Sequence, residues 1–166
     1  MPISTKLINQ AYGWFLRAAN ACQSPLLLIV RLYWGWQFFE TGRGKAMNIP
    51  RVTDYFTSLG IPAPALNAYF IAWLELIGGI LLIVGLSSRL ISFPLVIDMI
   101  VAYFVGDREA LGAFFSDPGK FYGATPYTFL FASLLILVFG PGKISLDSLI
   151  VWYRRRHAVE STVPVI

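Results

Sequence analysis

Charge is what this sequence has least of. Only 13% of its 166 residues are Asp, Glu, Lys or Arg, while 57% are hydrophobic. A soluble domain carries about 25% charged residues, so this chain has too few to cover a water-facing surface. The shortage argues against a disordered segment, a coiled coil and an ordinary cytosolic enzyme. Cysteine is nearly absent too. The single Cys22 excludes an intrachain disulfide and any Cys-x-x-Cys redox pair. The single His157 excludes a histidine-rich metal site, and no metal is expected. Neither a Ser/His/Asp nor a Cys/His set stands out for nucleophilic catalysis. The formal net charge is +4, but most basic residues flank apolar runs. That pattern reads as membrane topology rather than nucleic-acid binding.

What is present is apolar sequence in long stretches. A membrane-crossing helix needs about 20 predominantly apolar residues. Four candidates run from Pro25 to Glu40, Leu66 to Leu86, Leu90 to Val105, and Thr125 to Phe139. The fold class expected is therefore all-α: a four-helix transmembrane bundle over residues 25–142, with short interfacial amphipathic helices.

Before the bundle, residues 1–24 show helical spacing of Ile8, Ala11, Tyr12, Phe15, Ala18, Ala19 and Cys22, with Lys6, Asn9, Gly13, Arg17 and Asn20 opposite. This predicts an amphipathic helix lying in the interface until the chain turns inward at Pro25. Between the first two spans, Ile49, Val52, Tyr55, Phe56 and Leu59 repeat at helical spacing. They predict a short helix across the mouth of the bundle, capped by Asn48 and ended by Gly60. Residues 106–124 mix aromatic and charged residues in an interface-level flap. Residues 143–166 form an amphipathic tail whose Asp147 and Arg154–Arg156 suit the two ends of a helix dipole.

Basic residues set the orientation. With four spans, Lys6, Arg17, Arg89, Lys143, Arg154, Arg155 and Arg156 share one side. Arg43, Lys45, Arg51, Arg108 and Lys120 lie on the other. The denser side places both termini in the cytoplasm of a multi-pass protein. The lipid bilayer is the first partner implied; nucleic acid is not one.

The informative residues are ionisable groups inside the spans: Arg31, Glu75 and Asp98, with Glu40 near the end of the first span. A lone charge at mid-bilayer costs about 2.5–3.5 kcal/mol, so such groups face the bundle interior and pair. Counting from the cytoplasmic end puts Arg31, Asp98 and Glu75 about 9, 13 and 16 Å deep, within reach of one another. One guanidinium against two carboxylates leaves one negative charge or one bound proton. Two readings stay open. The trio is a polar lock that fixes helix packing, or it lines a pocket for a ligand, a proton path or a quinone head group. Gly78, Gly79 and Gly85 share the Glu75 face, and Gly35 follows Arg31 by one turn. These small residues let helix backbones approach closely. Pro94 could open the hydrogen bonding near Asp98. Gly42-Arg43-Gly44-Lys45 lacks the spacing of a phosphate loop.

The order of these pieces resembles the DoxX family of small membrane proteins. The likeness covers residues 24–149. It rests on Arg31, Gly35 and Gly42-x-x-Lys45; Gly60-Ile61-Pro62-x-Pro64; Glu75-x-x-Gly78-Gly79; Gly85-Leu86-x-x-Arg89; and Gly140-Pro141-Gly142-x-x-Ser145-Leu146-Asp147. The resemblance implies a four-helix bundle in a prokaryotic cytoplasmic (inner) membrane. It also implies a subunit of a quinone-linked or thiol and oxidative-stress redox complex, with quinone as the possible cofactor. A soluble or membrane redox protein is the implied partner, or a second copy in a homodimer. With one cysteine, electron chemistry has to come from a bound quinone or that partner, so the chain is not expected to be catalytic alone. Glu75 and Asp98 are expected as the pocket's acids, Arg31 as their holder, and Lys45 and Glu40 at the outer mouth. The rival expectations are a noncatalytic scaffold or assembly factor, and a small proton or acid transporter.

Overall fold

The computed structural model describes the backbone of residues 3–160 and the side chains of residues 9–156. The side chains of Lys6, Ile8 and His157 lie outside the described residues. Eight helices follow in order: α1 (Ile3–Met47), α2 (Ile49–Ser58), α3 (Pro64–Val84), α4 (Ser88–Val105), α5 (Arg108–Gly112), α6 (Pro118–Gly123), α7 (Thr125–Phe139) and α8 (Leu146–Glu160). Among the described residues there is no strand. The C-terminal half of α1 packs antiparallel to α3, and α4 packs against α7. The two pairs join through α3 against α4 and α1 against α7. Phe38, Leu82, Leu95 and Ile136 fill the centre with no exposed surface, and Phe38 meets Phe129 edge to face at 4.8 Å.

The outward faces identify the solvent. On α3, Leu66, Phe70, Trp73, Ile77, Ile80 and Val84 are exposed at helical spacing. On α4, Leu90, Phe93, Ile97, Val101 and Phe104 do the same. A water-facing stripe would be polar at these positions; an apolar one faces lipid. Helices α3 and α4, of 21 and 18 residues, are long and apolar enough to cross a membrane, and α7 is a shorter apolar helix.

Several local expectations change. The chain does not turn at Pro25; α1 continues through it as one helix of 45 residues. A proline inside a helix removes one backbone hydrogen bond, and here that loss kinks nothing sharply enough to end the element. Asn48 does not cap α2 with its side chain. It sits where α1 runs directly into α2, and its Nδ2 donates back to the Gly44 carbonyl at 3.1 Å. Gly60, at φ +73°, does end α2: the Gly60 amide donates to Thr57 O and the Ile61 amide to Phe56 O. This left-handed closure satisfies two carbonyls that the helix end would otherwise orphan. Helix α4 likewise runs through Pro94 without a break.

The α1–α3 contact is backbone on backbone. A Cβ on Gly79 would collide with the Phe39 amide and sit 2.5 Å from the Gly35 carbonyl. A Cβ on Gly42 would collide with the Leu76 amide. Gly35 faces Gly79 and Ile83, whereas Gly78 turns the other way, toward Leu95 of α4.

Candidate functional site

The buried charges form two separate groups rather than one. Arg31, 1% exposed, lies at the α8 end of the bundle. Its Nε donates to Leu82 O at 2.9 Å and its Nη2 to Ile83 O at 3.2 Å. Its Nη1 donates to Pro141 O at 2.6 Å and Ile144 O at 3.0 Å. The guanidinium thus caps the C-terminus of α3 and ties it to the 140–145 linker, where helix carbonyls are unpaired and partially negative. Gly85, at φ +76°, closes α3 beneath it, and a Cβ there would lie 2.5 Å from the Arg31 Nη2. Gly85 therefore makes room for the guanidinium instead of packing helix on helix.

Two further groups complete this end. The Asp147 carboxylate accepts from the Ser87 amide at 2.7 Å and the Ser88 amide at 3.0 Å, so α8 supplies the N-terminal cap of α4. Arg89 Nη2 donates to Val138 O at 3.1 Å, in the last turn of α7. Composition gives no hint of these roles; the helix-terminal positions of Arg89 and Asp147 are the only signal.

The expected meeting of Arg31 with Glu75 and Asp98 does not occur. Helical side chains lean toward their own N-terminus, so Arg31 reaches away from mid-bundle. Lys45, at the opposite end of α1, reaches inward for the same reason. Its Nζ lies 2.6 Å from Glu75 Oε1. Glu75 is 2% exposed, Asp98 is 8% exposed, and the two carboxyl groups neighbour each other. One cation thus faces two acids in the interior, and Glu75 Oε2 and Asp98 Oδ2 have no hydrogen-bond partner. Glu40 is not part of this group. It points outward and pairs with Arg43 at 3.7 Å on the surface of α1.

Over the Lys45–Glu75–Asp98 cluster lies a cavity of about 890 Å³, bounded by α2, α4 and the chain after α2. Lys45 and Asp98 line it together with Val52, Phe56, Met99 and Ala102, and Arg51, Asp107 and Arg108 stand among its polar lining groups. Its wall exists because the amphipathic α2 turns apolar Val52 and Phe56 inward. The neighbouring flap is held by aromatic contacts: Tyr103 stacks on Phe121 at 4.9 Å and donates to its carbonyl at 2.9 Å. An apolar enclosure with a few convergent polar groups is the usual form of a small-molecule site. This one has the Lys45 ammonium and the Asp98 carboxyl in its lining, with Glu75 buried behind them.

Comparison with known proteins points the same way as the fold. A family model described as DoxX matches residues 26–108. The chain is 32% identical over 143 residues to "Uncharacterized membrane protein Rv3486" of Mycobacterium tuberculosis, covering 79% of this chain and 85% of that one. It is 30% identical over 134 residues to "Inner membrane protein YphA" of Escherichia coli, covering 77% and 92%. It is 35% identical over 75 residues to "Putative oxidoreductase CatD" of Bacillus subtilis, covering 45% of this chain and 54% of that one. No solved structure matches the chain.

Proposed function

This chain belongs to the DoxX family of membrane proteins, and on that premise we propose that it is the membrane subunit of a redox complex, holding a quinone head group in the α2-end cavity. The observation that carries the reading is the cavity floor. Lys45 and Asp98 line an apolar space of about 890 Å³, beside two buried carboxylate oxygens without a partner. Lys45, held by Glu75, presents N–H donors to a carbonyl oxygen. Asp98 accepts a hydrogen bond from a hydroxyl and can take its proton. Quinones supply those two faces in their oxidised and reduced forms, with two-electron, two-proton chemistry. The printed name of the Bacillus relative supports the redox half of the reading. With a single, exposed cysteine, electrons reach the ligand from a partner protein. The Arg89, Lys143 and Arg154–Arg156 concentration supports an orientation with the α8 end, and with it both termini, in the cytoplasm.

The test is equilibrium binding of a short-chain quinone and its quinol to the purified protein in lipid nanodiscs. Wild type binds saturably, and Lys45→Met and Asp98→Asn each weaken binding at least tenfold. Wild type without saturable binding overturns the pocket. The rival reading is a noncatalytic scaffold, favoured by how completely Arg31 and Asp147 serve structure alone. Glu75→Gln separates the two: lost assembly supports the scaffold, and normal assembly with lost redox activity supports the pocket.

A further inference from the structure

A second concavity, of about 900 Å³, lies at the opposite end of the molecule between the start of α4, the 140–145 linker and α8. Three cations line it: Arg89, Lys143 and Arg155. Its one acid, Asp147, has both oxygens engaged by the Ser87 and Ser88 amides. Among the described residues, no ion pair offsets the Lys143 or Arg155 charge, and Arg89 gives one Nη2 hydrogen bond to Val138 O. Leu90, Val151 and Trp152 give the wall its apolar part, beside Pro141 and the two serines Ser87 and Ser148. Asp147, Val151 and Arg155 recur every four residues, so one face of α8 forms a side of the groove.

Position decides what such a groove can hold. Leu90 is 76% exposed and begins the outward apolar face that Phe93 and Ile97 continue along α4. The groove therefore opens where the lipid-facing surface stops, at the depth of lipid headgroups. Trp152 is a residue type that settles at that level. Basic pockets between helices at this depth suit anionic headgroups. We propose that this groove is a binding site for an anionic phospholipid, with the phosphodiester oxygens on Arg89, Lys143 and Arg155 and the glycerol and first acyl carbons on Leu90, Val151 and Trp152. The site is independent of the α2-end cavity and of any ligand there.

The experiment measures retention of added lipid by native mass spectrometry on the full chain in detergent, with melting temperature as a second readout. The probes are phosphatidylglycerol, phosphatidylcholine and inorganic phosphate. Phosphatidylglycerol is expected to bind saturably, at least tenfold more tightly than phosphatidylcholine, and phosphate alone to give no stabilisation. Each neutralised cation should weaken the lipid about fivefold, so Lys143→Gln with Arg155→Gln should weaken it about 25-fold. Arg155→Gln alone, on an exposed helix face, gives the single-step value should the double variant fail to fold. Arg154→Gln, which does not line the groove, should change little. Equal retention of the two lipids, an Arg154→Gln loss matching that of Arg155→Gln, or phosphate binding that depends on Lys143 and Arg155 without lipid would each overturn the proposal.

Discussion

The two ends of the bundle treat buried charge in opposite ways. At the α8 end, Arg31 is 1% exposed and its guanidinium donates to the Leu82, Ile83, Pro141 and Ile144 backbone carbonyls. Asp147 likewise ends on backbone amides. The interior of that end is closed: Arg31 and Asp147 saturate helix termini and have nothing left to offer a ligand, unlike the surface cations Lys143 and Arg155 of the groove outside them. At the α2 end, Lys45 and Glu75 meet each other, Asp98 lines a cavity, and two carboxylate oxygens are unsatisfied. The contrast teaches that a charge inside an apolar bundle is not in itself a mark of function. What separates lock from pocket is whether the polar valences of the group are used up by the protein.

The largest effect should come from breaking the closed end. Arg31→Met leaves the Leu82, Ile83, Pro141 and Ile144 carbonyls without their donor. Hydrogen bonds to charged groups are worth about 1.5–3 kcal/mol each, and buried orphans cost nearly as much. The variant should lose about 3 kcal/mol or more, seen as aggregation or a collapsed melting temperature on solubilisation. Arg31→Lys should recover only part, because an ammonium cannot reproduce the planar fork. A folded, monodisperse Arg31→Met protein would remove the distinction between the two ends.

The failed meeting of Arg31 with Glu75 shows where sequence reading stops. Apolar run length located the outward stripes of α3 and α4, since lipid contact is a property of composition. The Ile49, Val52, Phe56 spacing located α2 for the same reason. Depth alone could not pair the charges. It ignores the lean of helical side chains, which sends Arg31 and Lys45 in opposite directions relative to the middle of α3. Gly42 and Asp147 stand out in the sequence, but their partners do not, because their work is done against Leu76 and the Ser87 amide, 34 and 60 positions away in the chain.

A smaller effect, opposite in sign, is expected at the open end. Asp98→Asn keeps the shape of the side chain and removes one acid from a cluster with one cation and two acids. Its new amide can donate to the orphaned Glu75 Oε2, and an unpaired buried charge is costly while a hydrogen-bonded neutral group is not. The melting temperature should hold or rise by about 2–4 °C, the shift that about 1 kcal/mol gives in a chain of this size, while quinone binding falls. A loss of stability comparable to Arg31→Met would mean that Asp98 is part of the lock.

The smallest effect should come from the flap above the open end. Lys120 Nζ lies 2.9 Å from Glu109 Oε2, with the two side chains 49% and 89% exposed. The Lys120 hydrogen bond and charge hold the Glu109 carboxyl below the ordinary glutamate range, and Glu109 in return raises the Lys120 ammonium. The signs follow from linkage. A depressed carboxyl contributes stability above its unfolded pKa and loses it as pH falls through the folded value. A raised ammonium contributes below its unfolded pKa and loses it as pH rises through the folded one. The pair is therefore fully formed from mildly acidic to mildly alkaline pH and fades at both extremes. Solvent screens exposed pairs so well that most contribute little. Lys120→Gln should leave the melting temperature at neutral pH unchanged within error, in a pH series that also covers both extremes. A clear drop at neutral pH would show that the flap is tied into the cavity, and the open end would then be less open than its unsatisfied carboxylates suggest.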